Sequence, residues 1–397
     1  MHSKDVGNAV APRTALFTIV VMSMLTPSAF AQPTPKLTVL SESDHPASSA
    51  RQFLVHSALV ARDFVVVVSR PPIFGSWVSA DLKAASSKQL NQKLPAIYAL
   101  DAGYGVAGPM AQMMAGVGTM TPAYVVSIGY GEGQANFHQT DLLHRSVTEG
   151  GVTFGGGGAR FQAFLTEELR PFLEAKYPLD PNKAILFGHS FGGLFAAHVL
   201  ADSPEAFDGY LIGSPSVWID PQVLAKLASA AKGNGHRVFV AVGEQEEPRM
   251  LDGASQLAAI LIAAPSNFKV ERKVFAGEGH ISYYPLLIQA AFAWLVPPPG
   301  VGRTAITLSP EALQRIAGVY ELADGRVVTV ALKAAKAFVE VTGTPGQSEM
   351  LAETAQRFFL PGGYNVLFTF EGAMDAPASS LIVSMNGTQL HASRRVQ

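Results

Sequence analysis

The pentapeptide GHSFG at residues 188–192 constrains the fold of this chain more strongly than any other stretch. A short apolar, β-prone segment at 184–187 precedes it, and an apolar run of helical composition follows it directly. The chain therefore turns sharply at Ser190, and Gly188 and Gly192 remove side chains where the two arms of the turn approach. This pattern predicts a nucleophile elbow, in which a serine hydroxyl is presented between a strand and a helix.

The same turn predicts where negative charge could be stabilised. The backbone N–H of Phe191 lies at the start of the helix, where N–H groups lack intrahelical partners and the helix dipole is positive. An oxyanion formed beside Ser190 could be held there, so Phe191 is a predicted oxyanion donor. The alternative interpretation is a Gly/Ser turn that precedes an ordinary helix.

Continuous apolar runs surround this motif and indicate the fold class. The runs at 64–68, 94–100, 124–128 and 237–242 do not alternate with polar residues, which is typical of strands covered on both faces of a parallel sheet. Segments of helical composition, such as 107–120, lie between them. Residues 32–296 are therefore predicted to form an α/β-hydrolase fold, a mostly parallel sheet with helices on both faces.

The glycine-rich stretch at 135–158 interrupts this alternation of predicted strands and helices. A phosphate-binding loop would end in Gly-Lys-Ser/Thr, whereas Ala159 and Arg160 follow the four glycines here. Nucleotide binding is therefore not expected, and the stretch is predicted to be a mobile loop over a site.

The pattern of predicted secondary structure changes after the proline run at 297–299. Residues 297–307 are predicted to be a linker. From 308 to 397, short strand-like runs are separated by the turn pairs Asp-Gly at 324–325, Gly-Gly at 362–363 and Asn-Gly at 386–387. This region is predicted to be a small antiparallel β domain.

The first residues have the layout of a secretory signal peptide. Lys4 and Arg13 precede an apolar run at 15–24, and the small-residue pattern Ala-Phe-Ala at 29–31 follows. Residues 1–31 are predicted to be removed, which leaves no integral membrane segment and a periplasmic or secreted protein. An N-terminal membrane anchor is the alternative, but the run is short for a span of about 20 residues.

Charge and cysteine content exclude several classes of function. The formal net charge is -2, so a long-range field that would attract nucleic acid or anionic membranes is not expected. The chain contains no cysteine, which excludes disulfides, thiolate nucleophiles and thiolate metal sites.

A serine nucleophile needs a base, and His280 is the predicted one. The serine hydroxyl is a poor nucleophile until a base accepts its proton, and in α/β-hydrolases acid and histidine follow the serine in that order. His280 lies in a glycine-bracketed turn between a strand and the last helix of the α/β region. Of the other downstream histidines, His198 and His236 are predicted to be structural or solvated, and His391 lies in the predicted β domain.

The acid is predicted to lie after the strand at 237–242. Three carboxylates follow it, and Glu246 stands three residues after the strand-ending Gly243, the usual place for a hydrolase acid. Glu244 and then Glu247 are the alternatives. A further alternative is that this is an acidic surface loop and that a serine/histidine dyad suffices.

Two further sets of residues are candidates for the site. The second oxyanion donor should come from the loop after the strand at 94–100, with the backbone N–H of Ala102 or Gly103 as candidates. Trp218 and Tyr283 lie close in sequence to the catalytic elements and are candidates for a substrate pocket, the alternative being that they belong to the core.

Four segments in order resemble the putative esterase family of α/β-hydrolases, which includes esterase D-like enzymes, enterobactin and salmochelin esterases, and mycolyltransferases. They are GHSFGGLF at 188–195, GSPSVW at 213–218, GEQE at 243–246 and GEGH at 277–280. The combination is most similar to the siderophore-esterase-like branch and covers residues 52–296. The resemblance implies Ser190 as nucleophile, Glu246 as acid, His280 as base and Phe191 as oxyanion donor.

One segment departs from the family pattern. The family usually has Leu-Asp-Gly after the third strand, whereas this chain has Leu-Asp-Ala-Gly at 100–103, which leaves the second oxyanion donor open. The C-terminal region is loosely similar to small β domains appended to some bacterial serine hydrolases.

These observations together predict an exported serine hydrolase that cleaves carboxylic esters through an acyl-enzyme. No metal or organic cofactor is expected, and the partner is a small-molecule ester. An acyltransferase on the same fold is the first alternative, and a non-catalytic binding protein that retains the fold is the second. The sequence does not indicate the ester or the oligomeric state.

Overall fold

The computed structural model describes most of the chain from residue 37 onward. The described ranges are 37–45, 50–71, 93–101, 105–116, 118–131, 135–229, 235–263, 268–297, 303–343, 346–361, 366–385 and 388–395. The predicted signal peptide, the oxyanion candidates Ala102 and Gly103, and part of the predicted linker lie outside these ranges.

Nine of the described strands form one mixed sheet in the order β1-β2-β3-β5-β4-β8-β9-β10-β11. The three strands at one end are paired antiparallel, and the six from β5 to β11 are parallel. The bounds are β1 Thr38–Asp44, β2 Ala50–Ser57, β3 Arg62–Ser69, β4 Leu94–Ala99, β5 Tyr124–Gly129, β8 Leu179–His189, β9 Gly209–Gly213, β10 Arg237–Gly243 and β11 Lys269–Phe275. The predicted α/β-hydrolase fold is confirmed.

The central strands are buried on both faces, as their continuous apolar sequences predict. All residues of β5 and β9 are buried, whereas the edge strand β11 is charged and largely exposed. Charged residues on an edge strand disfavour pairing with other chains. The carboxyl ends of β4, β8, β9 and β10 share one edge of the sheet, which is where such folds place their sites.

Helices cover both faces of this sheet. α1 and α8 contribute to the core on one face, and α5, α6 and α7 contribute to the core on the other. The bounds are α1 Ala107–Gly116, α2 His138–Asp141, α3 Gly158–Ala163, α4 Arg170–Lys176, α5 Phe191–Asp202, α6 Gln222–Ser229, α7 Pro248–Ala263 and α8 Tyr284–Leu295, with a π-helical turn at Phe164–Leu169 between α3 and α4. Within the described ranges, no helix combines the length and apolarity needed to cross a bilayer.

Two parts of this region differ from the sequence-based expectations. Strand β2 was not predicted, because its buried positions alternate with the polar side chains of Arg51, Gln52 and His56. The stretch at 135–158, predicted to be a mobile loop over a site, contains regular secondary structure. It forms α2 and a hairpin of β6 (Ser146–Glu149) and β7 (Val152–Gly155), in which Gly150 and Gly151 take up positive φ at the turn.

The C-terminal region is a closed antiparallel barrel of eight described strands, with β12 paired to β19. The barrel interior is apolar and includes Tyr320, Phe358, Phe368 and Phe370. Helix α9 (Pro310–Ile316), capped by Ser309, packs Leu313 and Ile316 into the same core. The bounds are β12 Gly318–Leu322, β13 Val327–Lys333, β14 Lys336–Val341, β15 Ser348–Ala352, β16 Arg357–Phe359, β17 Val366–Glu371, β18 Ser380–Met385 and β19 Thr388–Arg394. The predicted antiparallel β domain is confirmed, and closure of its sheet leaves no free edge.

A buried histidine cluster lies between α5 and the 144–163 region. The rings of His144 and His198 stack with centroids 4.6 Å apart, and His198 Nε2 lies 3.2 Å from Asp220 Oδ2 without hydrogen-bond geometry. Arg145 donates to the other oxygen of Asp220 at 3.0 Å. Burial, and then the charge of His144, lower the pKa of His198 to about 4.

We expect this cluster to make the protein sensitive to acid. The unfolded chain binds a proton at His198 near its ordinary pKa, whereas the folded chain resists it, so stability falls as pH drops from about 6.5 to 4. The loss at His198 is roughly 3 kcal/mol. Urea unfolding at pH 7 and pH 4.5 should show a smaller loss in His198→Gln than in the wild type. His391→Gln, at an exposed barrel position, is the control, and equal losses in all three proteins would refute the prediction.

Candidate active site

Ser190 stands on a sharp turn between β8 and α5. Its φ of 59° is in the left-handed region, which is strained for a residue with a side chain and recurs at functional sites. A Cβ on Gly188 would lie 1.9 Å from the carbonyl oxygen of Gly192, so only glycine fits there. The N–H of Ser190 donates to Gly213 O at 2.9 Å, which fixes the turn against β9.

The first turn of α5 presents backbone donors beside this serine. The helix begins at Phe191, and its first N–H to bond within the turn is that of Leu194, which donates to Ser190 O at 3.0 Å. The preceding N–H groups, including that of Phe191, have no acceptor inside the helix. They lie at the positive end of the helix dipole, where an oxyanion is stabilised.

The hydroxyl of Ser190 contacts a second serine that the sequence did not indicate. Ser190 Oγ and Ser216 Oγ are 3.4 Å apart, and the N–H of Ser216 donates to Ser190 O at 3.2 Å. Ser216 therefore supports the backbone of the turn and is also a partner for the hydroxyl in this conformation.

His280 and Glu246 form a close pair at the same edge of the sheet. His280 Nδ1 lies 2.6 Å from Glu246 Oε2, and 38% of the His280 side chain is exposed against 1% of the Glu246 side chain. The His280 ring lies 4.6 Å from that of His189, the residue preceding Ser190. Because the carboxylate fixes Nδ1, Nε2 is the nitrogen left for chemistry.

The Glu246 carboxylate is held by donors on its other oxygen. Oε1 accepts hydrogen bonds from Ser214 Oγ at 2.5 Å and from the N–H of Gly243 at 2.8 Å, and Tyr283 OH is 2.6 Å from Ser214 Oγ. Burial raises the pKa of the Glu246 carboxyl, but the hydrogen bonds from His280, Ser214 and Gly243 outweigh it and lower the pKa overall. The group is therefore a buried, charged carboxylate.

The neighbouring carboxylates point elsewhere. Glu244 Oε2 accepts the N–H of Gly277, and Glu247 pairs with Arg249 on the exposed surface. Of the three predicted alternatives, Glu246 is the one that the structure brings to His280. Ser214, with a φ of 38° and no exposed surface, lies in the GSPSVW segment but was not predicted to be a site residue.

His189 is a buried neutral neighbour of this pair. Burial, and then the charge of His280, lower its pKa to about 3, so it stays uncharged when His280 gains a proton. Its ring packs against those of Tyr283 and Tyr284. It therefore packs beside His280 as an uncharged ring.

The two pocket candidates have different environments. Tyr283 has no exposed surface and supports Ser214, so the prediction that it lines a substrate pocket is corrected: a fully buried ring cannot contact substrate in this conformation. Trp218 is partly buried, and the guanidinium of Arg249 lies 3.9 Å from the centre of its ring. Its pocket role stays a prediction.

A second imidazole–carboxylate pair lies on the other side of the elbow. Asp101, which follows β4 with a φ of 53°, accepts a 2.6 Å hydrogen bond from His138 Nδ1 on α2. Neither side chain was a predicted site residue, because the two are 37 residues apart in sequence and meet only in the folded chain. Three acidic or histidine side chains placed to hold a metal ion do not occur together within the described ranges.

Comparisons with known proteins identify the family of this chain. The family model described as putative esterase matches residues 85–290, which is more than half of the chain. The chain is 34% identical over 235 residues to ferri-bacillibactin esterase BesA of Bacillus subtilis, covering 52% of this chain and 80% of that protein. It is 31% identical over 156 residues to the siderophore enterobactin esterase of Emericella nidulans, covering 32% and 52%.

Solved structures show the same architecture for the α/β region. The BES protein of Bacillus cereus has a TM-score of 0.53 at 26% identity, covering 65% of this chain and 99% of that one. The siderophore hydrolase EstB of Aspergillus nidulans has a TM-score of 0.53 at 20% identity, covering 65% and 98%, and shows the fold alone.

Fold and comparisons together define a serine carboxylic-ester hydrolase built on the α/β-hydrolase fold. The chain belongs to the putative esterase family.

Proposed function

We propose that this protein cleaves siderophore esters through an acyl-enzyme, with Ser190, His280 and Glu246 as a catalytic triad. The observation that carries the triad is the 2.6 Å contact between His280 Nδ1 and the buried Glu246 carboxylate, at the edge where Ser190 stands on a strained turn. The substrate class is supported by relatives named as esterases of ferri-bacillibactin and of enterobactin.

The chemistry begins when His280 Nε2 accepts the proton of Ser190 Oγ. The hydroxyl turns from Ser216 toward His280 on substrate binding, a common adjustment of hydrogen bonds that are loose without substrate. Ser190 Oγ then bonds to the ester carbonyl carbon, and the Phe191 N–H stabilises the oxyanion.

The intermediate collapses when the bond to the leaving alcohol breaks and His280 donates its proton to that oxygen. His280 next takes a proton from water as that water attacks the acyl-enzyme, and it returns this proton to Ser190 Oγ when the bond to the acyl carbon breaks and the acid is released. Glu246, charged and held by Ser214 and Gly243, stabilises the imidazolium in both steps. The chain's own groups therefore account for each proton transfer.

Export to the periplasm or medium is part of the proposal, and the signal-peptide layout at 1–31 supports it. Expression of the full chain in a bacterial host should yield an extracytoplasmic protein beginning at Gln32. N-terminal sequencing of each cell fraction tests this, and an uncleaved cytoplasmic protein would contradict it.

The first experiment combines a fluorophosphonate probe with two kinds of substrate. We expect the purified protein to hydrolyse p-nitrophenyl esters and the trilactone of enterobactin, and peptide mass spectrometry to find the probe on Ser190. A folded protein that neither turns over an ester nor binds the probe would refute the serine mechanism. Hydrolysis of simple esters without cleavage of the trilactone would refute only the siderophore substrate.

Replacement of Glu246 distinguishes the acid from its neighbours. Glu246→Gln removes the charge that stabilises the imidazolium and disturbs the tautomer of His280, so we expect kcat to fall by about 10³-fold. Glu244→Gln and Glu247→Gln are matched controls on the same loop and should stay within about threefold. Equal effects of the three changes on ester hydrolysis would contradict the assignment of Glu246.

A further inference from the structure

The Asp101–His138 pair repeats the arrangement of the Glu246–His280 pair on the opposite side of the elbow. In both pairs Nδ1 lies 2.6 Å from a carboxylate oxygen. The His138 side chain is 25% exposed and the Asp101 side chain 14% exposed, so the imidazole faces the outside and the carboxylate lies behind it. The triad described above does not use this pair.

The pair lies beside the backbone donors of the elbow. A Cβ on Gly192 would be 3.5 Å from Asp101 Oδ2, which places this carboxylate oxygen next to the first turn of α5. The His138 ring lies 5.3 Å from the ring of Phe191. The pair therefore lies beside Phe191, the predicted oxyanion donor.

The second oxygen of Asp101 has an unusual environment. Oδ2 is buried, and within the described part of the chain it has no hydrogen-bond partner. A buried carboxylate oxygen without a hydrogen-bond donor costs free energy, and its charge acts at long range because the buried surroundings screen it poorly. An oxyanion forming at the Phe191 N–H would be repelled by it.

We propose that His138 compensates the charge of Asp101 so that the oxyanion can form. This inference rests on the proposed serine mechanism. With His138 charged, the pair is neutral overall, and with His138 uncharged, a negative charge remains beside the oxyanion. His138 is then an electrostatic positioning group on the oxyanion side and is distinct from the base His280.

The charged and titratable groups around the pair come from several elements. On α2 itself Asp141 binds Arg62 of β3 at 2.5 Å and accepts a 2.8 Å hydrogen bond from Tyr130, so its charge is already compensated. From the elbow, the charge of His138 is felt at His189, which burial keeps neutral. The uncompensated charge that remains is that of Asp101.

The test compares single and double replacements in the full chain. His138→Gln leaves Asp101 unneutralised, and we expect kcat/KM for p-nitrophenyl butyrate to fall about tenfold. The double replacement Asp101→Asn with His138→Gln removes both charges and should recover most of that loss. His56→Gln is the matched control, because His56 also has Nδ1 2.6 Å from an aspartate but belongs to the β2–β3 hairpin.

The double replacement separates this role from a structural one. An electrostatic loss in His138→Gln is restored when the Asp101 carboxylate is also removed, whereas a structural loss is not. If His138→Gln matches the wild type, or if the double variant is no better than His138→Gln, the inference is overturned. Fluorophosphonate labelling of wild-type Ser190 is measured in parallel, so a failure of the serine mechanism itself is seen separately.

Discussion

Ser190→Ala is expected to lower kcat for ester hydrolysis by about 10⁴-fold or more while leaving the fold intact. The hydroxyl is the atom that bonds to the acyl carbon, and no other group in the triad can replace it. Its contact with Ser216 Oγ at 3.4 Å is long, so the stability lost with it is small. Steady-state kinetics and a thermal melt of the same preparation measure both quantities.

Ser216→Ala is the matched control for this change. It removes a neighbouring hydroxyl of the same chemistry, while its backbone N–H still donates to Ser190 O. We expect a change in kcat of less than about tenfold. Comparable losses in the two variants, or residual labelling of Ser190→Ala by a fluorophosphonate, would show that the nucleophile is elsewhere.

Gly188→Ala is expected to destabilise the protein by about 4 kcal/mol or more. The new Cβ would meet the carbonyl oxygen of Gly192 at 1.9 Å and the N of Gly193 at 2.9 Å, and both are backbone atoms that cannot turn aside. The strand and the helix would have to separate at the elbow, which lies in the most buried part of the sheet. Urea unfolding, or solubility on expression, measures the effect.

Gly116→Ala provides the comparison for this effect. A Cβ at this last residue of α1 meets no atom within 4 Å, so the free energy of unfolding should change by no more than about 1 kcal/mol. A Gly188→Ala protein as stable as Gly116→Ala would mean that the elbow is looser than the structure indicates.

The buried parallel strands could be read from the sequence because their signal is local. The apolar run at 94–100 corresponds to β4 at Leu94–Ala99, and the run at 237–242 to β10 at Arg237–Gly243. Strand β2 could not be read this way, since half of its residues are polar and its assignment depends on pairing with β1 and β3. The closure of the barrel likewise depends on β12 meeting β19, which are far apart in sequence.

The same distinction between local and long-range information applies to the residues of the site. Glu244, Glu246 and Glu247 all carry a carboxylate within four residues. Their positions in the sequence made Glu246 the first candidate for the acid, but they could not show which carboxylate contacts His280. Their orientation follows from packing, because Gly243 and Ser214 supply donors to Glu246 alone. Asp101 follows β4 and His138 lies on α2, which the Asp141–Arg62 ion pair links to β3, so Asp101 and His138 meet only in the folded chain.

The sequence by itself determined the strand, the turn and the helix around Ser190, because glycine spacing and apolar runs act over a few neighbouring residues. Only the tertiary structure decided which carboxylate meets His280 and which charge lies beside the oxyanion donors. Such contacts join side chains 34 and 37 residues apart, and their free energy depends on burial and hydrogen-bond geometry that exist only once the sheet has formed.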